Sequence, residues 1–306
     1  MPLIKKEAEM SLRNVFLICG VIVIIMLGIA GFVLTKNIDG NLISPRIAVI
    51  PLKGEITSDM AEDFIKTFNK ADEDITVSAI IVDINSPGGA VAPSRELAVA
   101  VKNAKKPVVA LIGEVGASGG YWVASSADKV VADPISITGS IGVIGSYLQY
   151  SGLMEKYGIT YERLVSGKYK DAGSQYKDLT DDERAYLQGK IDIIQNLFVS
   201  DIAVNRNMPQ ESVATLATGE IFFGTEAKGL GLIDILGGKI EAQKTAEELA
   251  GITSSHLVDM APGKGVFSLL GVNMENIAYF VGKGIGDSFN PAADTNGEFT
   301  LVAEMQ

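Results

Sequence analysis

Hydrophobic positions follow three rhythms along this chain. From Val15 to Leu34 they are continuous, with no charged or strongly polar residue in the run. A helix of about 20 such residues is ~30 Å long, enough to cross a bilayer core. From Ile47 onward, short apolar runs of strand length alternate with stretches whose apolar residues recur every three or four positions. Beyond Gly251 the pattern weakens, and apolar residues mix with Gly, Ser, Asn and charge.

The middle rhythm predicts the elements. Ile47 to Leu52 reads as a first strand, and Met60, Phe64, Ile65 and Phe68 as one face of an amphipathic helix. Ala79 to Ile84 is a buried strand closed by Asn85-Ser86-Pro87-Gly88-Gly89, and Pro93 suits the first turn of a helix running to about Ala104. Val108 to Ile112 is another strand, Gly119 to Ala127 a short helix, and Lys129 to Ala132 a further strand. Thr180 and Glu183 have the spacing of a capping box, starting a long helix with Leu187, Ile191, Ile194, Phe198 and Ile202 on one face. Pro209 opens a shorter helix. Ile221 to Phe223 and Leu232 to Asp234 read as short strands around a Gly-rich helix, and Lys239 to Ala250 as a final helix. This alternation predicts an α/β fold with a largely parallel sheet and right-handed crossovers.

The first rhythm predicts a retained transmembrane anchor over residues 15–35. It is longer than the apolar core of a cleaved signal peptide, and Leu34-Thr35-Lys36-Asn37 offers no small-residue cleavage site. Lys5, Lys6 and Arg13 precede the run, which places residues 1–14 in the cytoplasm and the rest outside the cell membrane. Residues 36–45 read as a linker, 46–251 as the folded domain, and 252–306 as a tail, disordered in part or interfacial.

Charge and composition then narrow the chemistry. A net charge of −11 argues against a nucleic-acid partner, because phosphate binding needs a basic surface. The single Cys lies inside the apolar run and the single His is His256, which reads as a surface residue. That leaves no disulfide framework, no thiol nucleophile and no Cys/His zinc site, so no metal is expected. A nucleophilic hydrolase built here must find its base outside imidazole.

Three loops could carry such chemistry. In Gly116-Ala117-Ser118-Gly119-Gly120-Tyr121-Trp122, a serine with minimal neighbours sits between a strand and a helix, which exposes a nucleophile near free helix N–H groups. The glycines of Asn85 to Gly89 leave backbone donors unshielded at the end of a neighbouring strand, the edge where parallel sheets place their sites. Ser166-Gly167-Lys168-Tyr169-Lys170-Asp171 offers a lysine base, but spacing does not choose between Lys168 and Lys170. Each loop alone is equally a plain turn or a solvated charge.

Together they resemble the signal peptide peptidase A family, Ser–Lys proteases of peptidase family S49. The resemblance runs through Asn85 to Gly89, Gly116 to Trp122, Thr138 to Val143, Ser166 to Ser174 and Gly219 to Asp234, in the family's order. It implies a Clp-protease/crotonase-like fold of stacked ββα units preceded by one transmembrane helix. It implies Ser118 as nucleophile, Lys170 as general base, Ser140 orienting the lysine, and Gly88 and Gly119 as oxyanion donors. It implies no cofactor, substrates that are hydrophobic peptides and signal-peptide remnants at the lipid bilayer, and a homo-oligomer whose neighbouring subunits help build the site. Three rivals remain: a related membrane Ser–Lys protease cutting a specific membrane-protein partner, a crotonase-type acyl-CoA enzyme, and an inert scaffold. The usual acidic catalytic residues of the second are not evident, and intact Ser118, Lys170 and Ser140 weigh against the third.

Overall fold

Period-two alternation decides how the strands are used. In β1 (Arg46–Lys53), Ala48, Ile50 and Leu52 turn to one face while Ile47 turns to the other. The same split recurs in β2 (Val77–Ser86), with Ile80, Val82 and Ile84 opposite Ala79 and Ile81. It recurs again in β3 (Val108–Ala117), with Val108, Ala110 and Ile112 opposite Val109 and Leu111. Strands apolar on both faces must be covered on both, as in a parallel sheet between helical layers. The computed structural model, which describes residues 24–26 and 45–261, has that arrangement.

The first layer holds α1 (Ser58–Glu73), α2 (Val91–Lys102), α3 (Gly119–Ser125), and later in the chain α5 (Asp181–Asn205), α6 (Gln210–Leu216) and α7 (Gly224–Gly229), while α4 (Ser151–Lys156) buries no residue. Of these, α1, α2, α3 and the second half of α5 bury their apolar side chains in the larger core. Thr57 caps α1, its hydroxyl accepting from Met60 N–H at 3.3 Å. Phe64 and Phe68, stacked at 5.8 Å, are fully covered. The opposite face is covered by α8 (Lys239–Ala250) through Ala242 and Ala246.

The remaining strands are β4 (Lys129–Ala132), β5 (Ile137–Gly139), β6 (Ile221–Phe223), β7 (Ile235–Leu236) and β8 (His256–Asp259). The sheet has eight strands in the order β6-β5-β3-β2-β1-β8, with β4 pairing β3 and β7. Every pairing is parallel except β5 with β6. One strand, β3, serves two neighbours: Val109 to Ile112 pair with β4, and Val115 to Ala117 with β5. The ends of β2, β3 and β5 therefore meet at one edge, Ser86 beside Gly116 and Ala117 beside Gly139.

Some expectations shift. The strand read at Leu232 to Asp234 falls instead at Ile235–Leu236. Leu232 and Ile233 are apolar because they are buried in the core, and Asp234 serves as an ionic staple. His256 is exposed as expected, but it begins β8, which pairs with β1 inside the segment read as a tail. The expected anchor lies outside the described residues except for Ile24, Ile25 and Met26, which are helical; 1–14, most of 36–45 and 262–306 also lie outside. Among the described residues no helix is long and apolar enough to cross a membrane.

The Asp234 staple carries a pH signature. Its carboxylate accepts from Val130 N–H and Arg206 Nη1, both at 2.8 Å, with Lys129 Nζ at 3.6 Å. Burial alone would raise its pKa, but the hydrogen bonds and cations outweigh this and hold it below the usual aspartate value. A group with a depressed folded pKa contributes fully above its unfolded value of about 3.9 and loses that contribution as pH falls through the folded value. Asp234→Asn is expected to lose about 1–3 kcal/mol at pH 7, with a shallower further loss in acid than the unsubstituted protein. Urea unfolding at pH 7, 5 and 3 checks this, and parallel pH curves for the two proteins would refute it.

Candidate active site

Ser118 occupies the corner between β3 and α3 with φ 53° and ψ −123°, a conformation sparsely populated by residues other than glycine. Such a corner costs on the order of 1–3 kcal/mol and persists only where its surroundings over-determine it. Here they do. Ser118 N–H donates to Gly139 C=O at 2.8 Å, fixing the corner to β5, and Trp122 N–H donates to Ser118 C=O at 2.9 Å, starting the helix. Ser140, next after Gly139, is also at positive φ (49°) and donates its N–H to Glu220 C=O at 2.7 Å. Two strained serines thus lie side by side at the sheet edge, Ser118 and Ser140 each half-buried.

The glycine loop after β2 closes the other side. A Cβ on Gly88 would fall 2.7 Å from Gly119 N and 2.8 Å from Ser118 Cβ, and one on Gly119 would fall 2.2 Å from Ser94 Oγ. Backbone therefore lies directly on backbone where the serine turns. The N–H of Gly88 is occupied: it donates to the buried Ser86 Oγ at 3.2 Å. Gly89 belongs to the glycine pair that the sequence reading marked for its unshielded donors, though the family resemblance assigned the oxyanion role to Gly88. It lines the cleft beside Ser118, and its N–H makes no hydrogen bond among the described residues.

The cleft itself has a volume of ≈ 90 Å³, and beside Ser118 and Gly119 its apolar wall comes from Val91, Trp122, Val143, Ile144 and Phe198. After Ile141 the chain is in neither helix nor strand, and residues 142–149 make no backbone hydrogen bonds among the described residues. A segment with unpaired backbone beside a cleft can take a peptide as an added strand.

The two candidate lysines behave differently. Lys168 Nζ pairs with Asp182 at 2.7 Å and lies 4.9 Å from the Tyr169 ring centre. The Asp182 bond, then Tyr169, hold Lys168 above the ordinary lysine range, the wrong direction for a base. Lys170 is exposed on a turn, its N–H donating to Gly167 C=O at 3.2 Å, and its amine has no hydrogen bond or ion pair among the described residues. The turn is tied down by its neighbour, since Asp171 Oδ2 lies 2.9 Å from Arg163 Nε and Oδ1 lies 3.7 Å from Lys177 Nζ. Lys177 also pairs with Glu183, whose carboxyl is held low by that bond and by Thr180 N–H. A single chain thus brings Ser118, Ser140, Gly88 and Gly119 together and leaves Lys170 outside, facing solvent. Among the described residues no group of three or more His, Cys, Asp or Glu could hold a metal ion.

Comparison with known proteins places this geometry. The profile of peptidase family S49 matches residues 100–253, and that of the NfeD1b N-terminal domain matches residues 46–150. A provisionally named protease of Methanocaldococcus jannaschii is 31% identical over 315 residues, covering 95% of this chain and 100% of its own. The chloroplastic serine protease SPPA of Arabidopsis thaliana is 32% identical over 71% of this chain, and the match covers 31% of that longer protein. Among solved structures, a variant of the 1510-N membrane-bound stomatin-specific protease overlaps with TM-score 0.49 at 16% identity, covering 72% of this chain and 99% of that one.

The contact at Gly88 sets a steric requirement. Gly88→Ala combines a φ of +100° with a clash against Gly119 and Ser118, whereas Gly54→Ala has a φ of +81° and nothing within 4 Å. The expected outcome is a loss of about 100-fold or more in the rate of Ser118 acylation for Gly88→Ala, the size of losing an oxyanion donor, and little change for Gly54→Ala. Labelling rates with a fluorophosphonate measure both. Equal rates in the two variants would remove the close approach from the site.

Proposed function

We propose, on the premise that this chain belongs to peptidase family S49 and is a serine peptidase, that it works through a Ser118–Lys170 dyad completed between copies. The observation that carries this reading is Ser118 on a strained strand-to-helix corner, with Gly119 and Gly89 beside it in an apolar cleft. A Clp-protease/crotonase-like arrangement accords with the parallel sheet and with the site at the ends of β2, β3 and β5.

The reaction is acyl transfer. A neutral lysine amine takes the Ser118 hydroxyl proton as Oγ bonds to the scissile carbonyl carbon, and the oxyanion sits between Gly119 and Gly89 N–H. Gly88 joins them only by leaving Ser86 Oγ. Collapse breaks the C–N bond, the lysine ammonium returns its proton to the departing amine, and water then releases the acyl group by the same proton route. Ser140 orients the lysine.

Neutrality is the demanding step. A lysine of ordinary pKa, about 10.4, is neutral in fewer than ~0.1% of molecules at pH 7, and a working base needs a shift of ~3 units, ~4 kcal/mol. Desolvation supplies such shifts, yet Lys170 is exposed in the single chain. A second copy supplies both the cover and the serine. In support, the segment leading to Lys170 exposes Ile144, Leu148, Tyr157, Ile159 and Leu164, the last fully. Clustered apolar exposure of this kind marks interaction surfaces. Residues 142–149 then receive hydrophobic peptides, such as signal-peptide remnants, as an added strand. The apolar run at 15–34 would hold the chain in the membrane next to such substrates, with the catalytic domain outside the cytoplasm.

Subunit mixing tests the dyad. Ser118→Ala and Lys170→Ala are each expected to abolish cleavage of a hydrophobic peptide, and Lys168→Ala to keep much of it. Unfolding the two inactive variants together and reassembling them one-to-one should restore about a quarter of wild-type sites, because random neighbours pair an intact serine with an intact lysine at that frequency. No recovery would confine the dyad to one chain, and activity retained in Ser118→Ala would remove it.

A further inference from the structure

Trp122 borders two spaces. It walls the ≈ 90 Å³ cleft beside Ser118. It also borders a second cavity of ≈ 170 Å³, whose other walls include Arg95, Lys102, Ser126, Asp201 and Asn205. The residue is thus shared by the catalytic cleft and a neighbouring unfilled space. What fixes its position sets the depth of the cleft.

That fixing comes from one face of α5. Phe198 stacks on the indole at 4.2 Å with 17° between the rings. One turn on, Asp201 Oδ2 accepts from Trp122 Nε1 at 3.1 Å, with Arg95 Nε 3.5 Å from the same oxygen. One further turn on, Asn205 Nδ2 donates to Ser126 Oγ at 2.9 Å, and Ser125 and Ser126 both donate to Trp122 C=O. Positions 198, 201 and 205 are successive contacts on a helical stripe. Stacking leaves a ring free to slide within its plane, whereas a hydrogen bond to the ring N–H does not. Asp201 is the directional element of the three.

The volume then speaks to substrate. At ≈ 90 Å³ the cleft is smaller than the cavity of about 150 Å³ that takes a benzene ring. A methyl or isopropyl group fits and a benzyl group does not. We propose that Asp201, backed by Arg95, is a positioning residue that pins Trp122 as the wall of the acyl-side specificity pocket, restricting the side chain next to the scissile bond to small aliphatic groups. Without the carboxylate the indole can tilt into the second cavity, and the two spaces merge. The specificity half of this inference rests on the serine-peptidase reading of the cleft.

The experiment uses the full chain and two readouts. The first is kcat/KM on matched peptide substrates carrying Ala, Val or Phe at the acyl position. Asp201→Ala should raise the Phe-to-Ala ratio about tenfold or more, and Asp201→Asn, which keeps a carbonyl acceptor, should hold it near the original. Arg95→Ala, at an exposed position, should shift the ratio the same way by less, and it serves if Asp201→Ala does not fold. The second readout is emission, because Trp122 is the single tryptophan. Asp201→Ala should red-shift it and increase acrylamide quenching, and Asp201→Asn should reverse both. A uniform fall in rate on all three peptides would mean that Asp201 only supports the fold, and the proposal fails. If the unsubstituted protein cleaves none of them, the serine-peptidase mechanism has failed instead, and the emission arm decides the wall alone. An unchanged spectrum in Asp201→Ala overturns it.

Discussion

The site depends on backbone meeting backbone at the end of two parallel strands. Gly88 approaches Ser118 and Gly119 so closely that no side chain fits between them. That approach holds the glycine loop against the serine corner where β2 and β3 end. The strain at Ser118 is held by the same contact and by the bond from Ser118 N–H to Gly139. Loosening any of these would let the corner relax to ordinary φ and turn the hydroxyl away.

From this corner the rest of the domain can be read as support. The long strand β3 changes partners halfway, so that β4 builds core while β5 brings Ser140 and the Gly139 carbonyl to the serine. On the helical side, α5 spans both halves of the proposed chemistry. Its first turn holds the lysine turn through Lys168–Asp182 and Lys177–Glu183, and its later turns hold Trp122 through Phe198 and Asp201. At 25 residues the helix is about 37 Å long. Its buried apolar residues lie only near its C-terminal end, while Ile193 and Leu197 stay open. On the proposed reading, this open face of the helix is where a second copy would cover the chain.

How much of this the sequence disclosed follows from where each signal resides. Elements with their own periodicity or caps were legible: β1, β2, α1, and α5 with its Thr180–Glu183 box. The short strands β5, β7 and β8 were missed or displaced, because unlike β4 and β6 they carry no uninterrupted apolar run of three and become strands only through a partner. The end of β3, Gly113 to Ala117, lacks the apolar run that marked its start, yet continues because β5 pairs with it. In the site, Ser118 was legible from its small neighbours. The choice of Lys170 over Lys168 needed family resemblance, and the Asp182 pairing of Lys168 adds a physical reason. The occupied N–H of Gly88 and the link from Trp122 to Asp201 were invisible, since one depends on a rotamer and the other spans 79 residues.

The scarcity of imidazole then gives the exposed lysine a meaning. With one His, far off on the edge strand β8, the chain has few other groups that can take the serine proton near neutral pH. An amine of ordinary lysine pKa is neutral in on the order of one molecule in a thousand or fewer at pH 7, so a lysine base needs burial to work. Burying that amine against a second copy would raise the neutral fraction by roughly three orders of magnitude for a shift of ~3 units. On the proposed reading, assembly is therefore the step that creates the base. On the same reading the acyl-accepting half of the site is built in advance by strain and close packing, and its chemistry waits for the surface that desolvates the lysine.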